Sequence, residues 1–485
     1  MGLKTFTTDF QNIGKEKTFR YDVDFADFQN DFLIQQYYSF NDLFEFQKNN
    51  KVDIENLDDD FLYSEIGNVS KEGEVDPVKL NFTERKDEEE NYYKKIEKGD
   101  IIQVVENDIL LSKVRPNLKK YILVDNENEK YFYTSAFIHL KPKKLNKILY
   151  YSLRTVFYDN LIAISRQGKG YPILKEDDFL YLKFDKSIID KFITKQDQIV
   201  AQIEPIEKKI KELRAQITPT QEVINKVFAR EFGFDENLFN EFGKGMTAGT
   251  QIAQIRTLRV FETDFEELSR SGIVRFSTRF HNPSTKKLMN FLDSIETIQV
   301  KDILLEPIHR GASPSYNSNG EIPVVKTGHL KNGYIEISQE EFVDTDFYNK
   351  STRSQVKYGD ILIASTGKVS LGKVDLLEEE QNLIADSHIS ILRIDDEKYS
   401  PKFFTYFFRS ILGYFQIERD FTGATNQIEL YADEISNFQI PNISLKGQQK
   451  IVDEIKVELD KQEDIKNKIQ SERNKIDEII ERVIN

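Results

Sequence analysis

The residues whose types and spacing could do chemistry begin with STGKVSLGKV, 365–374, which follows a run, GDILIA, that reads as a β-strand. Gly367, four intervening residues, then Gly372 and Lys373 match a phosphate-binding loop up to its last position. There Val374 replaces the Ser or Thr whose hydroxyl would hold Mg²⁺. Such a loop also needs a helix directly after its lysine, so that the helix N-terminus faces the phosphates. Here KVDLLEEEQNLIADSHISIL reads as strand, acidic turn and strand. A positively charged turn is the better reading. The sequence has no Cys, which removes disulfides, thiolate metal sites and cysteine nucleophiles together, and only five His for zinc chemistry.

These residues must be positioned by elements of a long chain. At 485 residues it exceeds one ordinary core, so two or more domains are expected. Hydrophobic content of 39% with 31% charged residues describes a globular protein rather than a disordered one. MGLKTFTTDF lacks the apolar core of a signal peptide, and Phe6 occupies the Ser/Thr position of a myristoylation signal. No apolar run approaches the roughly 20 residues needed to cross a bilayer; with no Cys, the expectation is a cytoplasmic protein without a membrane partner. The net charge of −15 argues against a uniformly DNA-coating protein but not against local basic surfaces. KVRPNLKK (113–120) and KPKKLNK (141–147) concentrate positive charge, whereas the first 60 residues are acidic.

The chain repeats itself once. ENDILLSKVRPNLKKYILVD (106–125) corresponds to YGDILIASTGKVSLGKVDLL (358–377), each reading as strand, polar loop, strand, at an offset of about 252 residues. Ser135 meets Ser387 at that offset. Farther on, LRTVFYDNLIAISRQGKGYPIL (153–174) aligns with FRSILGYFQIERDFTGATNQIE (408–429), pairing Gly168 with Gly423.

Each copy then ends in a charged segment with heptad spacing. Ile199, Ile203, Ile206, Ile210, Leu213, Ile217, Ile224 and Val227 form one seam. Ile451, Ile455, Ile465, Ile469, Ile476, Ile479 and Val483 form the other, with a rival register through Val452, Leu459 and Ile480. Pro205 and Pro219 predict one bent helix or two stacked pieces in the first segment. The boundaries are a domain over 1–185, a spacer helix over 186–235, a second domain over 236–444 with its linker at 236–251, and a second helix over 445–485. The fold class is α+β: two mixed domains related by a pseudo-two-fold and separated by two long antiparallel coiled-coil helices. The first helix would measure on the order of 50 Å, about one and a half turns of duplex DNA.

At this point the sequence resembles the specificity subunit of type I restriction–modification systems. The resemblance rests on RFSTRFHNP (275–283), GASPSYNSNGEIPVVKTGHLKNGYI (311–335), GDILIASTGKVSLGKV (359–374), ADSHISIL (385–392), TGATNQIEL (422–430) and IPNISLKGQQKIVDEI (440–455), in that order and spacing. It implies two target-recognition domains, each reading one half of a bipartite double-stranded DNA site. Two modification subunits would supply S-adenosylmethionine and adenine N6 methylation, and restriction subunits with ATP and Mg²⁺ would join through them. The chain itself would carry no cofactor and no catalytic residue. In keeping with this, Asn282-Pro283-Ser284 is the nearest approach to an amino-methylase motif and lacks its second proline and aromatic, while Glu454-Ile455-Lys456, a nuclease-like fragment, lies on a heptad helix.

The candidate DNA-binding residues are Lys113, Arg115, Asn117, Lys119 and Lys120 in the first post-strand loop, and Ser365, Thr366, Lys368, Ser370 and Lys373 in the second. Lys and Arg neutralise phosphate, Arg and Asn can also grip base edges, and hydroxyls serve either role. The glycine loops add Lys169 and Tyr171, and Thr425, Asn426 and Gln427; the KTGHL segment adds Lys326 and Thr327. Against this stands the plain reading of solvated turns, with His329 and His388 as core or turn residues. A bivalent coiled-coil adaptor for other proteins and a nucleotide-dependent enzyme built on 367–373 are the rival functions.

Overall fold

The computed structural model describes residues 36–47, 60–81, 98, 101–167, 171–234, 262, 280–281, 283–337, 341–367, 370–424 and 427–484. The expected linker, most of RFSTRFHNP, and Lys169, Lys368, Thr425 and Asn426 lie outside the described residues. The chain divides into two compact units, residues 1–215 with 467–485, and residues 216–466.

In the first unit, strands β1 (Tyr37–Ser39), β2 (Phe44–Phe46), β3 (Asp60–Ser64), β4 (Val78–Asn81), β5 (Ile101–Ile102), β6 (Ile109–Ser112), β7 (Tyr121–Leu123), β8 (Phe132–Thr134) and β9 (Phe137–Pro142) come first. Two four-stranded sheets form, in the orders β2-β9-β6-β7 and β4-β3-β8-β5. Among the described residues of this unit, only β3 and β8 pair in parallel. The run Ile109-Leu110-Leu111 is fully buried, as expected of a central strand covered on both faces. The turn before β6 is closed by Asp108, which accepts from Val105 N–H at 3.0 Å. Helices α1 (Asn146–Arg154) and α2 (Tyr158–Ala163) follow, then the hairpin β10 (Arg166–Gln167)–β11 (Pro172–Ile173), and β12 (Lys183–Asp185) paired antiparallel to β1. The 29-residue helix α3 (Lys186–Arg214) starts on Asp185, whose carboxylate accepts from Ser187 N–H at 2.7 Å.

The second unit opens with α4 (Thr220–Phe232), α5 (Pro283–Ser294) and β13 (Thr297–Gln299). Strands β14 (His309–Arg310), β15 (Ile322–Val325), β16 (Phe342–Val343), β17 (Gln355–Val356), β18 (Ile361–Ala364), β19 (Val374–Leu376), β20 (Leu383–Ala385) and β21 (Ile389–Leu392) form sheets β14-β21-β18-β19 and β16-β15-β20-β17. The strand order is that of the first unit, again with one parallel pair, β15 with β20. The register repeats as well: Leu111 faces Ile138 as Ile363 faces Ser390, both members 252 residues on (363 − 111 and 390 − 138). Along β18, Ile361 and Ile363 join one apolar cluster and Leu362 and Ala364 another. This is the period-two alternation of a strand buried on both faces. Then come α6 (Pro401–Arg409), α7 (Ile411–Asp420), the hairpin β22 (Thr422–Ala424)–β23 (Gln427–Glu429), and β24 (Gln439–Pro441), antiparallel to β13.

The last helix, α8 (Leu445–Ile484), runs for 40 residues. Its C-terminal part pairs with α3 in the first unit: Lys191 Nζ donates to Ile484 O at 2.5 Å and Lys209 meets Glu472 at 2.6 Å, so the two run antiparallel. Its N-terminal part pairs likewise with the second unit's α4, through Lys450 with Glu231 at 2.8 Å and Thr218 N–H with Gln462 Oε1 at 2.8 Å. Pro205 is held inside α3, and the first helical segment breaks before Pro219, the N-cap residue of α4. Ile199, Ile203 and Ile210 of the expected seam are buried, whereas Ile206, Leu213 and Ile217 are half-buried. On α8 both registers contribute. Ile451, Val452 and Ile455 are buried in the second unit, and Ile469, Ile476, Ile479 and Ile480 in the first. The helix packs a wider stripe there than a two-helix seam requires.

Candidate nucleic-acid interface

The loop between β6 and β7 is a single 3₁₀ turn, Pro116–Leu118, flanked by Arg115 and Lys119, both in the left-handed region at φ 51° and 53°. The equivalent loop between β18 and β19 places Gly367 and Gly372 in that region, at φ 88° and 80°. The two glycines of the phosphate-loop-like stretch therefore serve a backbone shape that the first copy imposes on Arg115 and Lys119, at about 1–2 kcal/mol for each non-glycine. Lys373 is followed at once by β19 rather than by the helix that a phosphate-binding loop places there.

Each loop is fastened to the unit's late hairpin by matching backbone bonds. Arg115 N–H donates to Pro172 O at 2.9 Å and Leu174 N–H to Lys113 O at 2.8 Å; Gly367 N–H donates to Ile428 O at 3.2 Å and Leu430 N–H to Ser365 O at 2.9 Å. The two candidate segments of each copy thus lie side by side. In the first unit the Arg115 guanidinium sits 5.3 Å from the centre of the Tyr171 ring, and Arg115, Asn117 and Tyr171 are all exposed. An exposed arginine stacked on an exposed aromatic suits phosphate and base contact.

Several of the expected contact residues also bond within the unit and hold the loops in place. Lys113 Nζ donates to Ser135 O, Lys119 Nζ to Arg154 O and Lys120 Nζ to Ile66 O, each at 2.9 Å. Lys119 also lies 4.0 Å over the Tyr158 ring, and burial pushes its ammonium below the ordinary lysine range. Lys326 pairs with Glu341 at 2.7 Å and sits 4.5 Å over the exposed Tyr316 ring; Thr327 is half-buried in the 3₁₀ turn that follows. Ser365 corrects the expectation most plainly. It is fully buried, its hydroxyl 2.6 Å from that of Ser390 and 3.2 Å from Ile363 O, because it continues the inward face of β18. Thr366, Ser370 and Lys373 are half-buried, and burial first, then Lys331, depress the Lys373 ammonium. Gln427 takes its place in the hairpin opposite Ala424.

The hairpins are braced by residues that the sequence reading passed over. Arg166 grips the buried Asp178 with Nε and Nη2, at 2.7–2.9 Å. Arg310 joins Glu429 at 2.7 Å and Leu430 O at 3.2 Å. Arg154 crosses the first loop, donating to Lys119 O at 2.8 Å and Lys71 O at 2.6 Å. Only its alignment with Arg409 in the repeat could have drawn attention to it. His329 is a turn residue, its Nδ1 accepting from Lys326 N–H at 3.1 Å, whereas the His388 side chain is 58% exposed.

Among the described residues no group of three or more His, Cys, Asp or Glu could hold a metal ion, and no helix is long and apolar enough to cross a membrane. The model of the type I restriction modification DNA specificity domain family matches residues 293–475. The type I restriction enzyme HindI specificity subunit of Haemophilus influenzae is 28% identical over 204 residues, 41% of this chain and 38% of that protein, so the match spans well under half of the relative. Two solved structures align along nearly the whole chain at 13% identity. The HsdS subunit from Thermoanaerobacter tengcongensis covers 92% of this chain and 96% of its own, with a TM-score of 0.32. The type I restriction–modification S subunit from M. genitalium covers 92% and 95%, with a TM-score of 0.38.

Proposed function

We propose, from the premise that this chain is a type I restriction–modification specificity subunit, that it is the non-catalytic reader of a bipartite DNA target, one half-site per unit. The observation that carries this reading is the paired design. Two units share strand order, register and the loop-to-hairpin bonds, yet place different side chains on them: Arg115, Asn117 and Tyr171 in one, a glycine-flanked turn with Lys373 in the other. A common scaffold with different loop surfaces suits the reading of two different half-sites. The long helices would fix the gap and receive two modification subunits, which bring S-adenosylmethionine and methylate adenine N6; restriction subunits with ATP and Mg²⁺ would join that complex. The nucleotide-enzyme alternative loses its support because a strand, not a helix, follows Lys373.

The reading is tested by mapping adenine methylation in genomic DNA from cells carrying the modification subunit with and without this chain. A split, asymmetric motif methylated only when both are present is expected. Unchanged methylation from an assembled, active complex refutes it.

A further inference from the structure

The turn from β8 to β9 and that from β20 to β21 are built on the same backbone bonds. Lys113 N–H donates to Ala136 O at 3.0 Å, and Ser365 N–H to His388 O at 2.9 Å, which makes Ala136 and His388 equivalent positions. The first unit closes the turn with Ala136 N–H donating to Thr134 Oγ1 at 3.4 Å. In the second, His388 N–H donates to Asp386 Oδ1 at 2.8 Å, and the same oxygen lies 2.5 Å from His388 Nδ1. A hydroxyl is enough to close this turn, so the backbone does not require a carboxylate–imidazole pair.

That pair has an orientation suited to recognition. Asp386 is buried, at 7% exposure, while the imidazole is largely in solvent. With Nδ1–H donating to the carboxylate, the neutral ring leaves Nε2 as a hydrogen-bond acceptor. A buried group thus sets both the direction and the tautomer of an exposed one. The position is also where the second unit's candidate segments leave the sheet. Arg310 Nη1 reaches Ser387 O at 3.3 Å and Glu429 of the hairpin at 2.7 Å, and Ser365, whose N–H bonds His388 O, opens the 365–373 loop.

We propose that His388, positioned by Asp386, reads a base in the second unit's half-site, with Nε2 accepting from an exocyclic amino group, adenine N6 or cytosine N4, in the major groove. The inference rests on the DNA-reading function proposed above. It explains why a position that is a plain alanine in one copy carries an oriented imidazole in the other: each unit needs its own readers on a shared frame.

The test uses the full chain assembled with its modification subunit and duplexes carrying the mapped motif, in which one adenine or cytosine at a time lacks its amino group. For the wild type, one such deletion in one half-site is expected to weaken binding roughly ten- to hundredfold. The His388→Ala complex should bind the intact motif about as weakly as the wild type binds that deleted duplex, and should lose no more when the amino group is removed. Asp386→Ala should blunt the same single position and leave the rest of the motif unchanged, an effect that general loosening of the fold would not produce. His388→Gln, which retains an acceptor, should keep part of the sensitivity. Whether adenine or cytosine is read follows from which deletion is silent in His388→Ala. Equal sensitivity of wild type and His388→Ala at every position overturns the proposal while leaving the DNA-reading function standing. A wild-type complex that does not prefer its motif over an unrelated duplex overturns both.

Discussion

Asp375 offers a quantitative test of how the second unit's loop is held. Its carboxylate is 1% exposed and accepts from the N–H groups of Asn332, at 2.9 Å, and Gly333, anchoring the 331–333 turn against β19. Burial pushes its pKa from 3.8 up to about 6, against the opposing pull of those N–H groups and of Arg409. A folded-state pKa above the unfolded value means that the group's contribution is full below pH 3.8 and lost as pH rises through about 6. The shift of about 2 units corresponds to about 3 kcal/mol in all, of which about 1.4 kcal/mol falls between pH 5 and pH 8. Asp375→Asn removes that titration. Asn offers one oxygen where the carboxylate offers two, so one of the two N–H donors loses its partner, at a pH-independent cost of about 1–3 kcal/mol. The variant's stability relative to the wild type should therefore rise by about 1.4 kcal/mol from pH 5 to pH 8, whatever the sign of the difference at pH 5. Urea denaturation followed by circular dichroism at several pH values reads the difference directly, other titrating groups cancelling between the two chains. A stability difference that stays flat from pH 5 to pH 8 refutes the argument.

Two further perturbations separate scaffold from contact surface. Arg166→Ala leaves the buried Asp178 carboxylate without its guanidinium and should destabilise the first unit by on the order of 3–5 kcal/mol; a urea midpoint within error of the wild type's would show the pair to be dispensable. Arg115→Ala in the assembled complex should weaken motif and unrelated duplexes alike and reduce the slope of log K against log salt by about 1. An unchanged slope would remove Arg115 from the phosphate contacts.

The architecture was legible in the sequence because strands of matched length and burial recur at a nearly constant offset. Ile109–Ser112 and Ile361–Ala364 must be buried on both faces, and such runs carry the same signature wherever they occur. The helices were legible through their apolar spacing, although the register on α8 was not, since Val452 and Ile480 are buried by packing beyond the two-helix seam. The candidate surface was legible only as segments. That the 113–120 loop lies against Tyr171 follows from pairing between β11 and residue 114, which no local pattern announces. The buried state of Ser365 depends on Ser390, 25 residues away, and the internal bonds of Lys113, Lys119 and Lys120 end on carbonyls that any residue type would provide. Nor does a lysine such as Lys119 advertise a left-handed backbone; only the glycine standing at its place in the second copy hints at it.

The central claim is that two separate heads read two separate half-sites. It is tested most directly by exchanging residues 1–185 for the corresponding segment of a relative with a different target and mapping the methylated motif of the assembled complex. Replacement of one half of the motif, with the other half retained, is the predicted result; a change in both halves together would contradict the account.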